Sequence, residues 1–218
     1  MATLWAWYSE HRFGVLFYSL LASLLVSPVI HPLGLSGGVV EALLAVNLLA
    51  AALAIDRGPL RKVALATLTV ALVARPGAAT FGQDAVAVGS LAAWGVLALF
   101  AAANALRFAL RGEAVGPEQI HAALGAYLLA GFCFGLLYWV LEQAAPGALS
   151  AGGVAAEGGL RVTTTIYFSF VTLASLGYGD ILPLSDPARG LAVVEVVSGQ
   201  LYLAVLVARL VSGWRGKV

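Results

Sequence analysis

The sequence predicts an all-α membrane protein with six spanning helices and a re-entrant segment between the fifth and the sixth. Three observations lead there. Of the 218 residues, 61% are hydrophobic and only 11% are charged, against about 45–50% and about 25% in a soluble domain. Apolar stretches of spanning length recur between charged or Pro/Gly breaks. The basic residues gather on one side of a membrane when the number of full spans is even. This composition excludes a disordered chain, a nucleic-acid binder with a basic surface and nearly every soluble enzyme. Twelve Lys and Arg against eleven Asp and Glu leave a net charge of +1, which points to no charged partner.

A spanning helix needs about 20 mostly apolar residues. The first candidate covers 13–30, between Glu10-His11-Arg12 and His31-Pro32. Ahead of it, Trp5, Trp7 and Tyr8 suit the membrane interface, and no basic region precedes an apolar stretch as a cleavable leader requires. The second candidate covers 35–55, with Glu41 and Asn47 inside, and Asp56-Arg57-Gly58-Pro59 breaks it off. The third, 60–73, is short, with Arg61 and Lys62 placed to snorkel at its start. The fourth, 85–106, and the fifth, 119–141, contain no charged residue, and the last, 188–210, contains Glu195. Between the last two, 146–159 is Gly/Ala-rich and reads as a flexible external loop. The one cysteine, Cys133, cannot form an intrachain disulfide and reads as helix packing.

Residues 162–179 are also uncharged and could pass for a seventh span. They are rich in Thr and end in Gly177-Tyr178-Gly179, which is poor helix material. Six spans and a cytoplasmic N-terminus put Arg12, Arg57, Arg61, Lys62, Arg107, Arg111, Arg209, Arg215 and Lys217 inside, leaving Arg75, Arg161 and Arg189 outside. A seventh span would move the last three of the inside set across. The segment is therefore expected to enter from outside and return. Non-helical backbone survives at membrane depth only where protein or a water-filled cavity covers it.

Residues 164–174 can form about three turns of helix, followed by Ser175-Leu176-Gly177-Tyr178-Gly179. Glycines two apart permit positive φ at alternate residues, which can turn successive carbonyls to one side. Four such strands around an axis would stack rings of carbonyl oxygens able to replace a cation's hydration shell. The preceding helix would aim its partly negative C-terminus at the same axis.

The run Thr172-Leu-Ala-Ser-Leu-Gly-Tyr-Gly-Asp180 resembles the T-x-x-T-V-G-Y-G-D selectivity-filter pattern of potassium channels. The resemblance extends over about 122–211 and is to the two-helix pore module of bacterial ion channels. It implies a pore domain at 118–218, with an outer helix 118–142, a pore helix 164–174, a filter 175–179 and an inner helix 188–211. Residues 1–117 form a four-helix N-terminal domain that carries no recognised motif. By position, the resemblance implies that Ser175, Leu176, Gly177, Tyr178 and Gly179 coordinate K⁺, and that Thr172, Tyr167, Phe168, Asp180 and Glu195 support the filter. Gly199 falls at an inner-helix hinge position, although a packing glycine reads equally well. Ser175 and Leu176 replace the common Thr and Val. Phe168 replaces a tryptophan whose hydrogen bond it cannot make, and Val171 a glutamate.

Glu195 has two readings: an acid within a span, functional by default, or a carboxyl hydrogen-bonded behind the filter. Glu41, Asn47 and Arg75 are expected to pair among the first four helices. His11, His31 and His121 have no ligand-like spacing, and no catalytic motif appears. The fourth candidate lacks the repeated arginines of a voltage sensor.

The implied protein is a homotetrameric, K⁺-selective, passive channel in a bacterial-type plasma membrane, multi-pass, with both termini cytoplasmic. It would be no enzyme, use no cofactor, bind no nucleic acid and carry no soluble cytoplasmic domain. The alternatives are a pore-loop subunit of a cation transporter or uptake system, a weakly selective cation channel, or a membrane scaffold.

Overall fold

The computed structural model describes residues 2–30, 36–55, 58, 61–62, 65–66, 69, 83–111, 115–155 and 159–215. Among them lie helices α1 (Ala2–Ile30), α2 (Ser36–Ala54), α3 (Gln83–Leu110) and α4 (Pro117–Ala144), strands β1 (Leu149–Ala151) and β2 (Val154–Ala155), helix α5 (Val162–Leu173), strand β3 (Ile181–Pro183) and helix α6 (Asp186–Arg215). Three helical stretches among the described residues are long and apolar enough to cross a membrane: Ala93–Leu110, Pro117–Ala144 and Asp186–Ser212. Most of the third candidate, 60–73, lies outside the described residues, as do Arg75 and the side chain of Glu41.

Helix α1 begins well before residue 13 and is broken at His11, where φ is −114° and ψ 20°. Beyond the break the helix starts afresh, and the Phe13 N–H donates to Glu118 Oε2, 3.1 Å away. A carboxylate at a fresh helix start satisfies an orphan donor and meets the positive end of the dipole. The expected pairing of Asn47 with Glu41 and Arg75 falls on groups outside the described residues. Asn47 Nδ2 donates to Ser23 Oγ at 2.8 Å, inside the α1–α2 contact.

Helix α4 packs against α1, α3, α5 and α6. It starts with Pro117, whose missing N–H costs nothing in a first turn, and Gln119 Oε1 reaches back to accept the Gly116 N–H at 3.1 Å. Ala98, Ala101, Ala102, Ala105 and Ala109 of α3 share one core with Ala122, Ala123, Ala126, Leu129 and Cys133 of α4. Small side chains let helices approach where lipid offers no hydrophobic drive between them. Cys133 is buried there, its Sγ 3.3 Å from Gly95 O.

Helices α4 and α5 also approach closely. A Cβ on Gly135 would lie 2.7 Å from Ile166 Cα, and one on Gly131 2.6 Å from the Phe170 ring. At Gly125 an added Cβ would meet nothing nearer than Leu16 at 3.9 Å. Gly135→Ala is therefore expected to lower stability by about 1–3 kcal/mol, the usual cost of overpacking. Gly125→Ala should be neutral or slightly stabilising, since Ala favours helix. Thermal unfolding of the two variants in detergent checks the difference.

Residues 146–155 of the 146–159 segment are not the open loop their composition suggests. β1 is central in an antiparallel sheet of order β2–β1–β3. Leu149 pairs with Pro183, Ser150 with Leu182 and Ala151 with Ile181. Leu149 and Ser150 are fully buried, and Glu142, at the end of α4, accepts the N–H groups of Gly147 and Leu149 at 2.9 Å each. Glycine composition suggested flexibility, but long-range pairing fixes residues 149–155. The chain leaving α4 and the chain leaving residue 180 therefore meet edge to edge.

Candidate functional site

The site is built where α5 ends. The Ser175 N–H bonds Thr172 O at 2.8 Å and the Leu176 N–H bonds Val171 O at 2.9 Å. With Ser175 at φ 57°, this is the Schellman termination, in which a left-handed residue satisfies the last carbonyls. Glycine usually holds that position; a residue with a Cβ there costs about 1–2 kcal/mol. Ser175 is the only non-glycine with positive φ among the described residues.

Positive φ then recurs at Gly177 (57°) and Gly179 (79°). Handedness thus alternates over 175, 177 and 179, while Leu176 and Tyr178 stay right-handed or extended. An added Cβ at either glycine would meet nothing within 4 Å in this chain, so their requirement is conformational and not one of space. All five residues, 175–179, are exposed.

Asp180 anchors the far end. Its Oδ2 accepts the Tyr167 hydroxyl at 2.8 Å, and its backbone carbonyl accepts the Gly152 N–H at 2.9 Å. Phe168 is buried, edge-on to Tyr138 with ring centroids 4.8 Å apart. Phe168 cannot donate, but its neighbour Tyr167 supplies a donor to Asp180. Val171 is buried and Thr172 half-buried in the last turn of α5.

Behind α5 sits a buried polar cluster. Glu195 is fully buried on α6. Its Oε2 accepts the Tyr138 hydroxyl at 2.8 Å, and its Oε1 lies 2.5 Å from Ser169 Oγ. Ser169 Oγ is also 2.7 Å from Gly131 O. One carboxyl therefore ties α4, α5 and α6 together. Lower on α6, the Leu173 carbonyl rests against Gly199, where a Cβ would collide with it. Helix α6 runs unbroken through Gly199.

Three functional neighbours escape sequence reasoning. Glu142 lies one residue beyond the expected end of its span. Ser169 reads as an ordinary polar residue of a Thr-rich stretch. Gln200, whose Nε2 donates to Ser175 Oγ at 2.8 Å, is a lone amide in the apolar inner helix. The signal available for each was a polar group inside an apolar run.

A family model described as "Ion channel" matches residues 124–213. That stretch is similar to the pore module of ion channels. The chain is similar to the inward rectifier potassium channel Kirbac3.1 of Paramagnetospirillum magnetotacticum, 32% identical over 93 residues, 41% of this chain and 27% of that protein. It is also similar to two-pore potassium channel 4 of Arabidopsis thaliana, 44% identical over 46 residues, 21% of this chain and 16% of that protein. The chain thus spans about a quarter and about a sixth of the lengths of these relatives. No solved structure matches it significantly. The match is to channels and not to enzymes, and with the three apolar helices it supports a multi-pass membrane protein.

Proposed function

We propose that the chain is one subunit of a homotetrameric channel that conducts K⁺ passively and selectively across the plasma membrane. Ser175, Leu176, Gly177, Tyr178 and Gly179 are its filter. The observation that carries this reading is the alternation of handedness at Ser175, Gly177 and Gly179, the backbone pattern that lets successive carbonyls ring an axis. The β1–β3 pairing supports a segment that enters and leaves on one face. Both similar proteins are named as potassium channels. On α6, Val193, Val194, Val197, Leu201, Val205 and Val207 are each at least half exposed. Such a bare face suits contacts between subunits and the lining of a central pore.

In this reading the chain crosses the membrane six times, with α5 re-entrant and both termini cytoplasmic. Tyr167 and Asp180 brace the filter from the outside, with Glu195 behind it. K⁺ is the permeant ion, and no cofactor takes part. Up to Leu106, α3 carries no basic residue, so conductance should depend only weakly on voltage.

Purified protein in mild detergent is expected to run as four copies of 22.4 kDa, about 90 kDa of protein. In liposomes it should pass K⁺ and exclude Na⁺. A conducting monomer, or equal flux of Na⁺ and K⁺, overturns this reading. The second result would favour a weakly selective cation channel.

A further inference from the structure

We infer that Gln200 is a positioning residue of the pore, holding the Ser175 hydroxyl at its innermost cation site. The inference rests on the filter reading proposed above. Ser175 is where the pore helix ends and the filter begins, and its hydroxyl is held from a different helix. Gln200 Nε2 donates to Ser175 Oγ at 2.8 Å across 25 residues of sequence. The reach is possible because the preceding residue is Gly199. With no side chain there, α6 closes on the Leu173 carbonyl at the end of α5, and the next side chain arrives at the filter's base.

A serine hydroxyl offers one hydrogen and two acceptor positions. The Gln200 amide occupies one acceptor position and so fixes the Oγ, a group that otherwise rotates freely. The remaining lone pair has a set direction. Four subunits would present four such oxygens in a ring with no formal charge. Neutral, fixed oxygen ligands suit a monovalent alkali cation that has shed part of its water. Ser175 and Gln200 are both exposed in the single chain, so no element of the same subunit covers them. The hydrogen bond also braces Ser175 in its left-handed conformation, so losing it loosens both the oxygen and the backbone.

Three variants test this: Gln200→Leu, which removes the donor and keeps the bulk; Ser175→Ala, which removes the acceptor; and the two together. The readout is the K⁺ concentration at the cytoplasmic face that half-saturates flux in liposomes. Each single change is expected to raise it about three- to tenfold, the scale of one hydrogen bond. The double variant should rise no further than the larger single one, because both remove the same interaction. If Gln200→Leu fails to assemble, Gln200→Asn, which keeps the amide but withdraws it by one methylene, should give the same rise. Unchanged half-saturation in a conducting protein, or fully additive singles, overturns the role of Gln200 alone. A wild type that passes no K⁺ overturns the filter reading and this inference with it.

Discussion

Replacing Gly177 by alanine is expected to abolish selective K⁺ flux while leaving the protein able to fold. Gly177 holds φ at 57°, and an added methyl would meet nothing within 4 Å in its own chain. The penalty is therefore conformational, about 1–2 kcal/mol per strand. Ser175 already bears the same φ with a Cβ, so a cost of that size does not unfold the segment. A preference of 1–2 kcal/mol for negative φ nevertheless shifts the local balance roughly 5- to 30-fold. A relaxed residue turns its carbonyl off the axis, and four strands must be correct at once. Gly177→Ala should keep its assembly size and lose K⁺ over Na⁺ discrimination in reconstituted flux. Selective conduction at the wild-type level would refute the carbonyl-filter account.

The second large effect is expected at Glu195. Glu195→Ala empties a fully buried site and strands the Tyr138 hydroxyl, which meets its Oε2 at 2.8 Å, while Ser169 Oγ keeps Gly131 O as its acceptor. Cavity formation alone costs about 2–5 kcal/mol for a large side chain cut to alanine, and the stranded Tyr138 hydroxyl adds about 1–3 kcal/mol. Glu195→Gln should behave quite differently. Its amide oxygen can accept from Tyr138, and its amide N–H can donate to Ser169 Oγ. That leaves the single Ser169 proton free for Gly131 O, 2.7 Å away. Alanine should therefore lose thermal stability and flux together, while glutamine retains both. Equal damage from the two substitutions would show that the hydrogen-bond pattern is not what Glu195 contributes.

The sequence made the pore module legible because its demands are local. Gly177 and Gly179 announce positive φ wherever the fold places them, and Asp180 and Tyr167 lie on the same short stretch. Apolar runs likewise mark where α3, α4 and α6 lie. What stayed hidden depends on partners distant in sequence. The Leu149–Pro183 register turns a glycine-rich loop into a sheet, and no composition rule anticipates a pairing across 34 residues. Gly131 and Gly135 look like any membrane-helix glycines until α5 is laid against them. Gln200 acquires meaning only when Gly199 brings α6 onto the end of the pore helix. Phe168, read alone, suggested a missing donor; the donor is one residue earlier, on Tyr167. The third candidate span lies mostly outside the described residues and gains no support here.

Arg209 links the two parts of the chain mechanically. Its Nε donates to Ala109 O at 2.9 Å and its Nη2 to Arg111 O at 3.2 Å, a cation seated on the carbonyl end of α3. On the same side, the Tyr202 hydroxyl holds Ala123 O of α4 at 2.5 Å. The C-terminal part of α6 is thus moored to α3 and α4. It cannot swing sideways alone: either the mooring parts or α3 travels with it. In the second case the Ala-lined contact carries α4 along and, through Glu118 and Phe13, the bend in α1. A displacement of this end of α6 is thereby coupled to the first helices, and one of the first helices to α6.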